Sequence, residues 1–200
     1  MRRQAVPACL CLTLLWAALP SPATAQARQG FWAGAGGGLG LSDVTCDDCA
    51  GDREVGGSGY VKLGWTLNDQ VLFGAEFNFW EKFALEESLE ATVSLYNLSG
   101  TVTYYPSASR GFFIKGGAGT SAAEVDFDLA GTAVTAEIGT GFGLLAGAGY
   151  DLRVPGRGIS VTPAVNYWYG RLGDVTLRGQ PSLDNWKHDV IDFTIGITFH

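Results

Sequence analysis

From Ile191 to His200 the chain alternates without a break. Ile191, Phe193, Ile195, Ile197 and Phe199 are large and apolar, and Asp192, Thr194, Gly196, Thr198 and His200 between them are polar or small. Side chains of a β-strand point alternately to opposite faces, so a period of two gathers the apolar residues on one face. The same split recurs in Ile159, Val161, Pro163, Val165, Tyr167 and Tyr169 against Ser160, Thr162, Ala164, Asn166, Trp168 and Gly170. Val61, Leu63, Trp65 and Leu67 oppose Tyr60, Lys62, Gly64 and Thr66, and Val71, Phe73, Ala75, Phe77 and Phe79 oppose Leu72, Gly74, Glu76, Asn78 and Trp80, with Leu72 out of character. Weaker alternation runs over Phe31 to Leu41, Tyr96 to Tyr105, Phe112 to Thr120 and Phe142 to Arg153. The pattern predicts eight strands, most of them near the ~9–11 residues that a tilted strand needs to cross a bilayer.

The connections add a second signal. Those at 68–70, 106–110 and 154–158 are short and carry turn formers, Asn68-Asp69, Pro106-Ser107 and Pro155-Gly156. They alternate with longer ones at 42–55, 84–91, 121–134 and 172–187. Strict long-short alternation with both termini at the short-turn end is the plan of an outer-membrane barrel. A soluble ligand-binding barrel would turn its apolar parity inward. Against that, the polar parity is rich in glycine and small residues, which suits a narrow lumen filled by side chains. Trp65, Tyr104, Phe112, Tyr150 and Phe199 also sit at the short-turn ends of the apolar face, where an interfacial girdle belongs. The fold class read from these patterns is all-β: an eight-stranded antiparallel up-and-down transmembrane β-barrel.

The N-terminus changes the picture in one way. Arg2 and Arg3, an apolar stretch from Ala8 to Leu19, the break Pro20-Ser21-Pro22 and the small-residue site Ala23-Thr24-Ala25 read as a secretory signal peptide over 1–25. The barrel domain is then 26–200. The remaining chain keeps 11 of the 13 basic residues against 20 acidic ones, a sign that disfavours a nucleic-acid partner. In that remaining chain the longest uncharged run, Ala91 to Ser109, is full of Ser, Thr and Tyr, so no spanning helix is expected there.

In the signal peptide, the eight alternating segments and a closing strand Val190 to Phe199 that ends in an aromatic, the chain resembles the small outer-membrane barrels typified by the OmpA membrane domain and OmpX. The resemblance covers the whole mature part. It implies a location in the bacterial outer membrane and a last strand read by the barrel-assembly machinery, with Phe199 as the assembly signal and His200 as a departure from the commonest ending. The partners it implies are outer-membrane lipid and, during biogenesis, that machinery and periplasmic chaperones. A monomer is expected. The expected role is structural or surface-interacting rather than an open pore. The alternatives are a lipid A-modifying enzyme, or a ligand-binding or permeability barrel.

Candidate chemistry is sparse. Cys46-Asp47-Asp48-Cys49 lacks the strand-to-helix context of a redox motif and the four ligands of a structural zinc site, so a local disulfide Cys46–Cys49 is expected. Acidic residues gather at Asp43, Asp47, Asp48, Asp52 and Glu54 around Arg53, at Glu86, Glu87 and Glu90, and at Glu124, Asp126 and Asp128. None has calcium-loop spacing, and a solvated charged rim is the plainer reading. No cofactor and no metal are called for. His188 with Ser182, Asp184 or Asp189 is the enzyme candidate, but no spacing singles these residues out, and a rim histidine is ordinarily a surface residue. No catalytic residue is assigned. The glycine-rich run Gly34 to Gly40 does not match the dinucleotide fingerprint, and Gly117 to Ala122 matches its spacing but lacks the following helix, so both read as close backbone packing.

Six charges fall on the inward parity: Lys62, Lys115 and Arg153 against Glu76, Asp151 and Asp192. Buried charges need partners, so a balanced lumen network is expected. A three-residue turn Asn68-Asp69-Gln70 sets Leu67 against Val71 and Lys62 against Glu76, close enough for a direct salt bridge.

Overall fold

In the computed structural model the described residues are 28–46, 53–86, 89–129, 132–177 and 180–200, with side chains described for these except 84–86, 89–90, 127–129, 132–138, 174–177 and 180–184. The predicted signal segment lies outside them. β1 (Phe31–Thr45), β2 (Glu54–Asn68), β3 (Val71–Glu86), β4 (Leu89–Tyr104), β5 (Phe112–Leu129) and β6 (Thr132–Tyr150) follow in chain order. They are succeeded by β7 (Leu152–Val154), β8 (Ile159–Leu177) and β9 (Gln180–Phe199). All pairings are antiparallel between sequence neighbours, except that β1 pairs with β9 and β6 pairs with β8, which closes the ring. β6 and β7 face the same partner, β8, in one register on either side of Asp151, so they form a single barrel strand and the barrel has eight.

Parity behaves as the alternation predicts. Phe193, Ile195, Ile197 and Phe199 are exposed, while Asp192, Thr194 and Thr198 are buried. A continuous exposed belt of Leu, Ile, Val and Phe far exceeds the apolar patch a soluble protein tolerates and suits hydrocarbon as its solvent. Trp65, Tyr104, Phe112, Tyr150 and Phe199 are exposed at the short-turn end of that belt. The backbone closes most tightly where glycine permits. A Cβ at Gly36 would lie 2.7 Å from the Tyr60 ring, and one at Gly196 2.3 Å from the Tyr60 hydroxyl, so these two glycines make the room in which Tyr60 lies.

Two expectations about connections are corrected. The described residues of the segments 84–91, 121–134 and 172–187, read as connections, are all strand: β3 runs to Glu86 and β4 starts at Leu89, β5 runs to Leu129 and β6 starts at Thr132, and β8 runs to Leu177 and β9 starts at Gln180. Beyond the hydrocarbon the hairpins keep pairing, because Thr, Val and Phe still favour extended structure. The β2–β3 turn is the two-residue Asp69-Gln70, with Asn68 opposite Val71, and a bulge at Leu67 restores the pleat, so Thr66 faces Leu72. Asn68 Oδ1 accepts the Gln70 and Val71 backbone N–H groups at 3.0 and 2.9 Å, which fixes this turn. The bulge absorbs the odd residue, so Lys62 does face Glu76.

Candidate functional site

The inward parity of all strands fills the lumen in layers. At the outer end Trp80, Leu95, Ala123, Leu145, Trp168, Trp186 and Val190 form one buried apolar cluster. At the short-turn end Trp32, Leu72, Tyr105, Phe113 and Ala164 form another. Between them lies a polar layer that includes Tyr60, Lys62, Glu76, Asn78, Asn97, Lys115, Asn166 and Asp192, all buried.

Glu76 Oε1 accepts from Lys115 Nζ at 2.5 Å, with both side chains all but inaccessible. This corrects the expected Lys62–Glu76 salt bridge. The two residues are opposed in register, yet the Lys62 ammonium lies over rings instead, 5.3 Å from the centre of Tyr60, 5.5 Å from Phe113 and 5.9 Å from Trp32. Lys115 comes from β5, two strands from β3, and the curvature of a narrow barrel brings its long side chain to the carboxylate. Aromatic faces attract ammonium groups, so Lys62 keeps a favourable site without a carboxylate partner. Asp192 is held by neutral donors: Asn166 Nδ2 at 2.7 Å, Trp168 Nε1 at 3.1 Å and Ser58 Oγ at 3.1 Å.

Asp151 sits lower, in the gap between β6 and β7. Its oxygens accept from Tyr105 Oη and Thr162 Oγ1, both at 2.7 Å, and His200 Nε2 lies 3.6 Å away, beyond hydrogen-bond reach. Arg153 is at the short-turn rim, donating to the Ala108 carbonyl at 3.2 Å. Four of the six inward charges, Lys62, Glu76, Lys115 and Asp192, therefore share the polar layer, while Asp151 and Arg153 lie nearer the short-turn end.

Sequence reasoning missed Arg28. Arg28 is 2% exposed, and its guanidinium stacks 3.4 Å over the Tyr105 ring and donates to the carbonyls of Asp69, Ala108 and Arg110, drawing two short turns together. Burial lowers the Arg28 pKa and raises that of the Tyr105 phenol, so the phenol stays protonated and donates to Asp151. The four lumen tryptophans, Trp32, Trp80, Trp168 and Trp186, were legible only as even positions in strands whose even residues point inward.

His188 is not the surface residue expected. It is 1% exposed inside the outer apolar cluster, edge-on to Trp168 and Trp186 with ring centres 5.7 and 5.3 Å away. Its Nε2 lies 3.0 Å from Ser121 Oγ, and Ser121 Oγ donates to the Tyr96 carbonyl at 2.7 Å. The serine hydroxyl has one hydrogen and directs it to Tyr96, so it accepts from His188, the reverse of what an activated serine requires. Asp189 is on the opposite face, against Asp43, and the side chains of Ser182 and Asp184 lie outside the described residues.

On the rim, Arg53 lies 3.8 Å from Asp43, and Lys82 pairs with Glu54 at 2.5 Å. Among the described residues no three His, Cys, Asp or Glu converge as metal ligands. Cys46 is disulfide-bonded and lies beside the outer apolar cluster, while Cys49, its expected partner, is outside the described residues. Phe199, the expected assembly signal, is exposed at the end of β9, opposite Ala33 of β1 and Ile159 of β8.

A family model for the outer membrane protein beta-barrel domain matches residues 9–196. The chain belongs to the outer membrane protein beta-barrel domain family. Membership places this barrel in the bacterial outer membrane, with the short turns in the periplasm. Among solved structures, Ail, the attachment invasion locus protein of Yersinia pestis, is similar with a TM-score of 0.57 at 14% identity, over 86% of this chain and 99% of that one. Its complex with the heparin analogue sucrose octasulfate gives 0.59 at 14% identity, over 86% and 99%. Neisserial surface protein A gives 0.55 at 16% identity, over 85% and 96%. Likeness at such identity is a likeness of fold. No curated protein matches the chain.

Proposed function

We propose that this family member is a closed, non-conducting barrel whose role in the outer membrane is structural or surface-interacting. The observation that carries the reading is the filled lumen: two apolar clusters, the outer with Trp80, Trp168 and Trp186 and the inner with Trp32 and Phe113, lie above and below a buried Lys115–Glu76 pair. An eight-stranded barrel has room for little besides its own side chains. β5, β6, β8 and β9 have 18 to 20 residues, nearly twice what a membrane crossing needs, and the excess stands outside the membrane as hairpins that a partner would meet. The outer rim is acid-rich, so the sulfated ligand of the Ail complex does not carry over by charge. The proposed partners are lipid around the belt and, during biogenesis, chaperones and the barrel-assembly machinery, which reads the strand ending in Phe199. The barrel closes β1 on β9 within one chain, which supports a monomer. A non-enzymatic role is supported by the direction of the Ser121–His188 hydrogen bond.

Planar-bilayer recording on the purified protein tests the central claim. No stable open state is expected, and steady unitary currents that disappear with the protein would overturn it.

A further inference from the structure

We propose that the periplasmic end of the lumen holds a binding site for a small tetrahedral oxyanion, the size of inorganic phosphate, formed by Arg28, Arg153, Ser160 and His200. Four segments deliver these residues. Arg28 precedes β1, Arg153 belongs to β7, Ser160 to β8, and His200 follows β9. Arg153 and Ser160 are directly opposed, Ser160 is opposed on its other side by Thr198, and the His200 backbone N–H donates to the Gly158 carbonyl at 2.8 Å. The register alone therefore puts the three C-terminal residues on one inner patch, and Arg28 closes over it.

The four residues, with Gly158 and Ile159, line a cavity of about 70 Å³. That is several times the space one water needs. Donors are left over around it. Arg28 Nε is buried without a partner although its two terminal nitrogens are occupied by turn carbonyls. Ser160 Oγ is likewise buried and unpartnered, and neither ring nitrogen of His200 makes a hydrogen bond, its Nε2 lying 3.6 Å from Asp151 Oδ2. An N–H or O–H buried without an acceptor is costly, and the residues that carry these atoms line one space.

The charge balance selects the occupant. Two guanidinium groups repel a cation, and no carboxylate side chain lines the cavity. Asp151, 3.6 Å from His200 Nε2, offsets one of the two guanidinium charges, and its two oxygens already accept from Tyr105 and Thr162. Water would satisfy hydrogen bonds without offsetting the charge that remains. An oxyanion does both, through charge-assisted bonds to guanidinium. Gln29 is exposed beside the cavity, at the edge where an anion from the periplasm would enter.

The test uses the full chain folded in detergent micelles and titrated with inorganic phosphate by calorimetry, with chloride holding ionic strength constant. Saturable one-to-one binding is expected. Arg153→Gln and Ser160→Ala should each weaken it by about tenfold, the effect of losing one hydrogen bond to a charged group. Arg171→Gln, on the outer hairpin, should leave it unchanged. Because a variant can fail to fold, amide shifts of the unaltered protein give a second measurement: phosphate should move Gly158, Ser160 and His200 in proportion to occupancy. A response that does not saturate, equal affinity in Arg153→Gln, or shifts confined to other residues would mean that the cavity holds water only, and would overturn the site.

Discussion

The Lys115–Glu76 pair is the sharpest place to test the lumen, because the closed barrel and the hairpin register name different partners for the same carboxylate. Removing either member strands a buried charge, at a cost of roughly 3–5 kcal/mol. Both side chains are at most 2% exposed, so solvent offers little relief. With a urea slope of about 2 kcal/mol per molar, Glu76→Gln or Lys115→Met should lower the unfolding midpoint by about 2 M. Replacing both at once leaves no unpaired charge and should recover most of that loss. The double swap Lys115→Glu with Glu76→Lys should do the same, whereas Lys62→Glu with Glu76→Lys should not, since the Lys62 ammonium rests on Tyr60, Phe113 and Trp32 rather than on Glu76. The assay is urea titration in detergent, read by the mobility difference between folded and boiled protein. Recovery in the Lys62 swap together with none in the Lys115 swap would refute the assignment and return Glu76 to its hairpin partner.

Ile195→Asp should sharply reduce assembly into membranes while Thr194→Asn is tolerated, because Ile195 is 56% exposed to the lipid side and Thr194 faces the lumen. A basic charge near mid-membrane costs about 2–4 kcal/mol and an acidic one less, and equal yields of the two variants in the membrane fraction would invert the parity. Gly38→Ala should destabilise the barrel, since the new Cβ would lie 1.9 Å from the Phe193 carbonyl oxygen, while Gly57→Ala meets nothing within 4 Å. Comparing their thermal midpoints in detergent checks this, and matched midpoints would contradict the closeness of β1 to β9. Alkylation of the unreduced, denatured protein should label neither Cys46 nor Cys49 if the loop is bridged, with both labelled after reduction. Breaking so short a loop should cost only about 2 kcal/mol.

What the chain declares locally is the face of each residue. A period of two with Ile and Phe on one parity and Thr, Gly and Asp on the other sets the lipid face of β9 whatever the strand pairs with, and Asn68 and Pro155-Gly156 mark turns through their own backbone chemistry. Strand count, closure and the inward set of six charges follow from that. The Lys62–Glu76 register was also legible, although the two-residue turn shifts the index sum by one at Asn68–Val71, because the Leu67 bulge shifts it back from Thr66–Leu72 onward. The ends of the outer strands were less legible, because residues beyond the hydrocarbon need not alternate in polarity to stay paired.

Which inward residues meet was decided by the tertiary structure alone. Hairpin geometry relates neighbouring strands, but Glu76 on β3 finds Lys115 on β5, Ser121 on β5 finds His188 on β9, and Arg28 reaches the turns after β2 and β4. Those distances depend on how a closed sheet curves and tilts, a property of all eight strands together and of no single hairpin. Thus the sequence determined that a charge or a tryptophan points into the lumen, through a rule that acts within one strand. Whether Lys62 there meets a carboxylate or an aromatic ring was settled only when the barrel closed and every inward side chain competed for the same narrow volume.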